Sequence, residues 1–436
     1  MAHFAFIGPP LRGHYKPMSH LAAELIARGH EATFIHQEEA RALVEADGAR
    51  FVAVGAAAAS VVSWTRPMTR IRGIVGLGGM MRRMERFTDM FCREAPEVLR
   101  RLKVDAIISD QLEPAGGLVA AHLGLPWVSV ADTLPMNREP GIPPPFVGWP
   151  YDPSPAGLKR NRGGWRVSDF LLRGFNRTIA RNAAQLGLQP RRRMEDCFSP
   201  LLQLAQIVPG LDFPRAELPP SFHYTGPFRR GAVPDFTLPP SGGRPTVFCT
   251  LGTLQGSRVA MFRKVAEACA ALNLRLVLTQ GGMSKDRPID WLPGNPLVYD
   301  WLPQEAVLTQ VDMVVSHCGI NTALEPLAAG LPMVVMPLAF EQPAIAARVH
   351  YSGAGKMLSR RASSAKLAET IAEVRGDPSY RARAEALRDE MRAAGGVVRA
   401  ADLIEATLGL GARPGAATTA RAARGGARGG SRSESS

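Results

Sequence analysis

The chain has 436 residues, of which 46% are hydrophobic and 21% charged, and its formal net charge is +13. This length is too great for one ordinary core and predicts two domains, while the composition is typical of a soluble globular protein. No apolar run approaches the ~20 residues that a membrane-spanning helix needs, and the first ten residues lack the basic region of a signal peptide. The five cysteines show no CxxC spacing, which favours reduced thiols and a cytoplasmic location.

Alternating strand-like and helix-like segments occupy the first half of the chain. The apolar segment HFAFIG (3–8) is followed by a predicted helix over Met18–Arg28, and a later helix is predicted over Gly117–Leu123. Strands that alternate with helices are typical of a parallel sheet covered on both faces. We therefore predict an N-terminal α/β domain over residues 1–225, with further strands at EATFIH (31–36), RFVAVG (50–55), VDAIISD (104–110) and PWVSVAD (126–132).

The same alternation restarts after residues 226–243, a segment rich in proline and glycine that we interpret as an interdomain linker. The strand TVFCTLGT (246–253) opens a predicted second domain over residues 244–410, whose last helices, about 379–409, are expected to return to the first domain. The fold class is therefore α/β, with two doubly wound, Rossmann-like domains that face each other across a cleft. Ligands of such sheets bind at the carboxyl ends of the strands.

A dehydrogenase-type nucleotide site is the first alternative for such a fold. It requires the pattern GxGxxG in the first turn of a sheet. The two corresponding turns here read GPPLRGHYKP and TLGTLQGS, and neither matches this pattern or a P-loop. The sequence therefore argues against both classes of nucleotide site.

Two basic segments contribute to the net charge. Residues 411–436 hold five arginines and one glutamate among Gly, Ala and Ser, a composition that predicts a disordered basic tail. Residues 158–182 mix arginines with apolar side chains such as Trp165, Phe170 and Leu171. This second segment has two interpretations: a solvated helix face with its own core stripe, or peripheral contact with the anionic inner face of a membrane. No nucleic-acid partner is expected.

The stretch SHCGINTALE (316–325) follows an apolar run and predicts a turn from a strand into a helix. The first amides of such a helix have no intrahelical acceptor and point outward, which makes the turn an anion site. His317 adds a hydrogen-bond donor, Asn321 or Thr322 is expected to cap the helix, and Glu325 projects from its first turn.

Residues 301–342 contain, in order, W-x-P-Q, H-C-G-x-N-[ST]-x-x-E, G-x-P and an acidic-Gln pair. This pattern resembles the donor-binding box of the UDP-sugar-dependent glycosyltransferases of the GT-B fold. The resemblance implies that uracil stacks on Trp301, that Glu325 holds the ribose and that the diphosphate meets the helix N-terminus. In two places the box departs from the family: Ile320 replaces a common Trp, and Glu341 a common Asp. The implied UDP-sugar residues are Thr253, Trp301, Leu302, Gln304, His317, Gly319, Asn321, Thr322, Glu325, Glu341 and Gln342.

The segment RGHYKP resembles the family's G-H-x-x-P, which implies that His14 is the catalytic base. An imidazole of pKa ~6.5 is matched to proton transfer at neutral pH. Asp110 corresponds by position to the carboxylate that orients this base, and Glu113 is a lesser candidate. The chain has no D-x-D pair for Mg²⁺, so we expect neither a metal nor a cofactor, with UDP-glucose as a donor substrate. Attack of the acceptor hydroxyl on the side of the sugar opposite to the departing UDP predicts inversion at the anomeric carbon.

A narrower resemblance, to xanthophyll glucosyltransferases of carotenoid-producing bacteria, runs from Met1 to about Leu410. Segments 110–145, 208–214, 249–256 and 340–349 carry it. It implies glucose transfer to the ring hydroxyls of zeaxanthin or a related xanthophyll. The candidate acceptor loops include Trp64, Met68, residues 74–84 and residues 135–150.

Two other functions remain open from the residues alone. A macrolide- or sterol-type glycosyltransferase would use the same donor box with a different acceptor. A non-catalytic binder of a sugar nucleotide or a carotenoid is the third hypothesis, and the presence of His14 together with Asp110 argues against it.

Overall fold

The computed structural model describes residues 1–9, 11–45, 49–55, 73–284, 289 and 291–410. Within these residues the chain forms two β-sheets of seven and six strands, and every neighbouring pair of strands is parallel. Helices cover the sheets, as expected for parallel strands joined by helical crossovers. The predicted α/β class with two doubly wound sheets is confirmed.

The first sheet lies within residues 3–224. Its strands are β1 (His3–Ile7), β2 (Glu31–His36), β3 (Arg50–Ala53), β4 (Ala106–Asp110), β5 (Trp127–Ala131), β6 (Leu202–Ala205) and β7 (Phe222–Tyr224). Their spatial order is β3-β2-β1-β4-β5-β6-β7, so the direction of winding reverses between β1 and β4. Such a reversal opens a crevice at the strand carboxyl ends, where ligands of these folds bind. The sequence analysis did not predict β6 and β7.

The helices connected to this sheet are α1 (Arg12–Ala27), α2 (Arg41–Glu45), α3 (Gly73–Leu102), α4 (Ala115–Leu123), α5 (Pro155–Leu171) and α6 (Arg173–Gln185). Helix α1 begins well before the predicted start at Met18, so the predicted turn RGHYKP is helical and His14 lies in its first turn. Pro17 lies in the second turn of α1, where its missing N–H leaves the carbonyl of Gly13 without an intrahelical donor.

The second sheet begins after residues 225–245, which form no helix or strand and include the predicted linker. Its strands have the order β10-β9-β8-β11-β12-β13, with the reversal between β8 and β11. They are β8 (Thr246–Thr250), β9 (Arg275–Thr279), β10 (Leu297–Tyr299), β11 (Met313–Ser316), β12 (Met333–Val335) and β13 (Gly355–Met357).

The remaining helices are α7 (Gly252–Gln255), α8 (Val259–Ala271), α9 (Gln304–Leu308), α10 (Ile320–Ala328), α11 (Gln342–Tyr351), α12 (Ser364–Gly376), α13 (Pro378–Ala394) and α14 (Gly396–Thr407). Helix α14 returns to the first sheet. Its Val397 and Ile404 belong to the same buried cluster as Phe4 and Leu21, and Arg28 of α1 forms ion pairs with its acidic residues. Contacts of helix α14, near the end of the described residues, therefore stabilise strand β1 and helix α1 at the start of the chain.

A buried ion-pair cluster joins the two halves. Arg348 of α11 donates to Asp212, which follows β6, over 2.6 Å, and both side chains are almost fully buried. Arg215 pairs with the other oxygen of Asp212 at 2.9 Å and with Glu139 at 3.4 Å. Burial alone would raise the pKa of Asp212, but the two guanidinium charges lower it to about 2. Burial outweighs pairing at Arg348, whose pKa is lowered despite the charge of Asp212, so the cluster offsets the desolvation of the carboxylate but not that of this guanidinium.

The structure also bears on two expectations from composition. All five cysteines are buried and unpaired, as expected for reduced thiols. Among the helices of the described ranges, none combines the length and apolar character that crossing a bilayer requires. The tail at 411–436 lies outside the described residues.

Candidate active site

A cleft of about 1370 Å³ lies between the two sheets. Its walls include residues that directly follow β1, β8 and β11, so both winding reversals open into it. His14 and every predicted donor residue line this one cleft, namely Thr253, Trp301, Leu302, Gln304, His317, Gly319, Asn321, Thr322, Glu325, Glu341 and Gln342. Asp110 lies directly behind His14. Parallel strands bring these segments together because their carboxyl ends share one edge of each sheet.

His14 and Asp110 form a close, buried pair. The ring Nδ1 of His14 lies 2.5 Å from Oδ2 of Asp110, and the other oxygen, Oδ1, accepts a 2.8 Å hydrogen bond from the Leu112 amide. An ionised carboxylate is only an acceptor, so Nδ1 carries the proton and Nε2 is left to accept one. This is the orientation that a general base requires.

The pKa of His14 reflects this pairing. Burial alone lowers it, but the charge and hydrogen bond of Asp110, together with the charge of Glu341, raise it above its ordinary value of 6.5. Glu341 belongs to the second half of the molecule, so the base is influenced by both walls of the cleft.

Asp132 is a site residue that sequence reasoning missed. It follows β5, is 1% exposed, and its carboxyl group lies in one cluster with His14 and Asp110, with ligand-type atoms within 4.8 Å of one another. Its Oδ1 accepts from Gln206 at 2.9 Å, whereas Oδ2 has no donor among the described residues. Burial and the charge of Asp110 raise the pKa of Asp132 well above its usual range. If the Asp132 carboxyl group is protonated, it can donate to Asp110, which would satisfy its own unpaired oxygen.

The same three side chains are the one group in the described ranges that brings three potential metal ligands together. The His14 Nδ1 and Asp110 Oδ2 atoms already bond to each other, so a cation would have to break the pairing that orients the base. We therefore interpret the group as a proton-sharing cluster.

Glu113, the lesser candidate, has a structural position. Its carboxylate accepts from Thr88 at 2.9 Å and from the Ala115 amide at 3.0 Å, at the start of α4. Burial raises its pKa to about 8. It does not line the cleft.

The donor half of the cleft is organised by the turn between β11 and α10. Cys318 is buried and has φ of +65°, a conformation that non-glycine residues rarely adopt. Gly319 is the N-cap of α10 and supplies no side-chain cap, which differs from the expected capping by Asn321 or Thr322. The first amides of α10 therefore remain available to an anion in the cleft.

His317 lies beside these amides. Its Nδ1 is buried without a hydrogen-bond partner among the described residues, and burial lowers its pKa to about 4, against a smaller opposite effect of the Thr250 backbone. A Cβ on Gly252, which has φ of +65°, would lie 2.8 Å from the ring. Glycine at this position thus permits the ring to stay where a bound diphosphate would meet it.

Asn321 and Thr322 have other partners. The Thr322 hydroxyl donates to the Gly319 carbonyl, and the Asn321 amide donates to the Gly13 carbonyl across the cleft at 2.9 Å. That carbonyl is free because Pro17, four residues later in α1, has no N–H to donate. The first turn of α10 and the first turn of α1 are therefore in direct contact.

The predicted nucleoside residues form the outer donor wall. Trp301 is 52% exposed and presents its ring to the cleft, whereas Leu302 is buried beneath it. Gln304 starts α9 and hydrogen-bonds to Glu325. Burial raises the pKa of Glu325, against the opposing charge of Arg229. An exposed indole beside a half-buried carboxylate suits a base and a ribose diol.

The acidic-Gln pair has two different environments. Glu341 is at the N-cap of α11 and faces the cleft, and burial raises its pKa. The side-chain oxygen of Gln342 accepts from the Leu338 and Ala339 amides, both at 2.9 Å, and so shapes the loop before α11. Of the predicted acceptor residues, Trp64 and Met68 lie outside the described residues.

The comparisons with known proteins agree with this geometry. Residues 168–389 match the model of the family described as UDP-glucoronosyl and UDP-glucosyl transferase. Two proteins named zeaxanthin glucosyltransferase are similar over 94% of this chain: that of Pantoea ananas is 38% identical over 96% of its own length, and that of Pseudescherichia vulneris 39% over 98%. The chain belongs to this UDP-glycosyltransferase family.

The solved structures establish the same architecture. The crystal structure of the glycotransferase of kitacinnamycin covers 93% of this chain and 98% of its own, with a TM-score of 0.73 and 25% identity. CalG4, the calicheamicin glycosyltransferase, has a TM-score of 0.72 at 23% identity and supports the fold alone. This family member is thus a GT-B glycosyltransferase that uses a UDP-sugar donor.

The base assignment predicts a pH profile. Protonated His14 is inactive as a base, so kcat/KM should fall as the pH drops through a pKa above 6.5. His14→Ala should lower kcat by about 10²–10⁴-fold, because only proton transfer is removed. Asp110→Asn should lower kcat less than His14→Ala does. It should also move the acidic side of the pH profile, the acid limb, to lower pH, because burial then dominates the pKa of His14. The rate of UDP release, measured as a function of pH for the wild type and both variants, tests these predictions. Near-normal turnover of His14→Ala would contradict the assignment of His14 as the base.

A neutral Asp132 predicts contrasting effects of two substitutions. Asp132→Asn keeps an uncharged donor to Asp110, so the acid limb of the pH profile should stay in place. Asp132→Ala removes the donor and should lower kcat roughly 10–100-fold, the effect of losing a hydrogen bond to a charged group. A shift of the limb to lower pH in Asp132→Asn would instead show that Asp132 is ionised.

The donor wall predicts a selective loss of nucleotide affinity. Trp301→Ala should weaken UDP binding by about 1–3 kcal/mol, measured by titration calorimetry, because a stacking surface is lost. Trp291→Ala is the matched control, since Trp291 is 65% exposed and outside the cleft. Equal UDP affinities of the wild type, Trp301→Ala and Trp291→Ala would exclude Trp301 from the nucleoside site.

Proposed function

We propose that this glycosyltransferase transfers glucose from UDP-glucose to the ring hydroxyls of zeaxanthin or a related xanthophyll, with inversion at the anomeric carbon. The observation that carries the proposal is the character of the acceptor side of the cleft. The lining there is predominantly apolar and rich in methionine: Met80, Met81, Met84, Met136, Phe146, Val147, Trp149, Val167, Leu171, Leu172, Phe175 and Met194.

This lining suits a long apolar acceptor with a polar end. Methionine and aliphatic side chains adapt to an extended hydrocarbon, and a polyene offers no polar groups along its length. The hydroxyl on the terminal ring is then the one acceptor group that needs a polar partner, and His14 supplies it at the inner end.

The chemistry follows from the two walls. Nε2 of His14 accepts the hydroxyl proton while the oxygen attacks the anomeric carbon of glucose. The bond from that carbon to the diphosphate breaks, and UDP leaves with the bonding electrons. The amides of α10 and His317 stabilise the charge that develops on UDP. The acceptor hydroxyl attacks the anomeric carbon from the side of His14, and UDP departs on the opposite face, toward α10. An α-linked donor therefore yields a β-glucoside.

The relatives support the choice of acceptor. The two proteins that are 38% and 39% identical are both named zeaxanthin glucosyltransferase. A protein named demethyllactenocin mycarosyltransferase is 28% identical. The greater likeness is to the carotenoid enzymes, and the apolar cleft is consistent with it.

The experiment supplies the purified protein with UDP-glucose and zeaxanthin dispersed in detergent. We expect a monoglucoside and then a diglucoside, both with β linkage by NMR. β-Carotene, which has the same polyene without hydroxyls, is the matched control and should give no product. Activity should survive EDTA.

An acceptor panel makes the proposal falsifiable. Transfer to macrolide or sterol acceptors with no product from zeaxanthin would overturn the acceptor assignment but leave the glycosyltransferase activity intact. An α-linked product would overturn the inverting mechanism.

A further inference from the structure

The outer surface of helix α5 exposes an unusual set of apolar side chains. Phe170 is 63% and Val167 59% exposed, and Phe146 in the preceding loop is 42% exposed. The helix packs inward through its opposite side, where Gly157, Asn161 and Ser168 are buried, so the exposed residues do not belong to a core stripe. The core interpretation of this segment is therefore wrong for Phe170.

Basic side chains share the same outer surface. Lys159, Arg166 and Phe170 recur at helical spacing, and Arg162 lies beside them. All three basic side chains are exposed, and within the described part of the chain none has a carboxylate within 4.0 Å. The nearest acid in sequence, Asp169, already pairs with Arg138 and Arg193. The positive charge of this surface is thus uncompensated.

This surface is continuous with the mouth of the cleft. Phe146 and Val167 are exposed to solvent and also line the cleft. We define the mouth face as Phe146, Lys159, Arg162, Arg166, Val167 and Phe170. A partner that covers these side chains would lie directly over the acceptor entrance.

We propose that the mouth face binds an anionic lipid bilayer and opens the acceptor entrance toward the lipid. Apolar side chains flanked by long basic ones are the arrangement that lies in a bilayer interface, because the apolar groups enter the acyl boundary while the charges remain at the headgroups. Uncompensated positive charge matches anionic headgroups. The use of this contact, direct entry of a lipid-dissolved acceptor, rests on the proposed function; the contact itself does not.

The test measures co-sedimentation of the full-length protein with vesicles. We expect binding to vesicles of phosphatidylglycerol and phosphatidylcholine in equal parts, release by salt, and little binding to phosphatidylcholine alone. Arg162→Gln combined with Arg166→Gln should weaken binding on the order of tenfold or more, at roughly fivefold per basic residue. The matched control, Arg360→Gln with Arg361→Gln, removes the same charge from an exposed site in the second half and should bind as the wild type does.

A second pair of variants tests the apolar contribution. Phe170→Ser with Val167→Ser should weaken binding on the order of tenfold, whereas Val398→Ser, at a similarly exposed valine, should not. UDP affinity of Arg162→Gln with Arg166→Gln should equal that of the wild type, which shows that the fold is intact.

Three outcomes would overturn the proposal. The first is no binding of the wild type to anionic vesicles at low salt. The second is an equal loss in the control variants, which would mean that net charge alone acts. The third is complete loss when the tail arginines are replaced by glutamine in the full chain, at Arg413, Arg421, Arg424, Arg428 and Arg432. None of these outcomes bears on zeaxanthin glucosylation in detergent, which tests the proposed function separately.

Discussion

The buried ion pair between Arg348 and Asp212 is the constraint on which the active-site cleft depends. Neither sheet holds the complete candidate site, since His14 lies on one half and the predicted donor residues lie on the other. The pair lies at the junction of the halves, is stabilised by Arg215, and sits where Arg348 also packs 4.3 Å above the ring of Phe213. Loss of either partner would leave the other charge buried and unpaired, at a cost of about 3–5 kcal/mol, so the junction of the halves depends on both residues.

The two walls of this cleft differ in their electrostatic character. Its first wall concentrates carboxyl groups behind His14, where they favour the imidazolium that forms when the base accepts a proton. Its second wall offers helix amides and a neutral His317, which favour a developing anion. In the proposed mechanism, proton acceptance belongs to the first wall and departure of UDP to the second wall of one cavity. The contact from Asn321 to Gly13 keeps the two ends in register.

The candidate donor residues could be grouped from the sequence because they are local in it. Trp301, His317 and Glu325 follow one another through strand, turn and helix, and all of them line the cleft. The details that differ have physical reasons. Helix α1 includes the segment around His14 because the Leu11 carbonyl accepts from the amides of His14 and Tyr15, which closes the first helical turn. Gly319, with extended backbone, is the N-cap of α10 directly after the left-handed Cys318.

The sequence by itself determined the two α/β halves, the order of the candidate donor residues and the place of His14 after the first strand, because alternating apolar periods and contiguous motifs record local structure. Only the tertiary structure decided which distant groups meet. Asp132 became a partner of Asp110 through the adjacency of β4 and β5, and Arg348 met Asp212 across 136 residues. The mouth face likewise appeared only when packing showed which side of α5 was buried. Burial and proximity are properties of the packed chain, and they shift the pKa values of Asp132, Asp212 and Arg348.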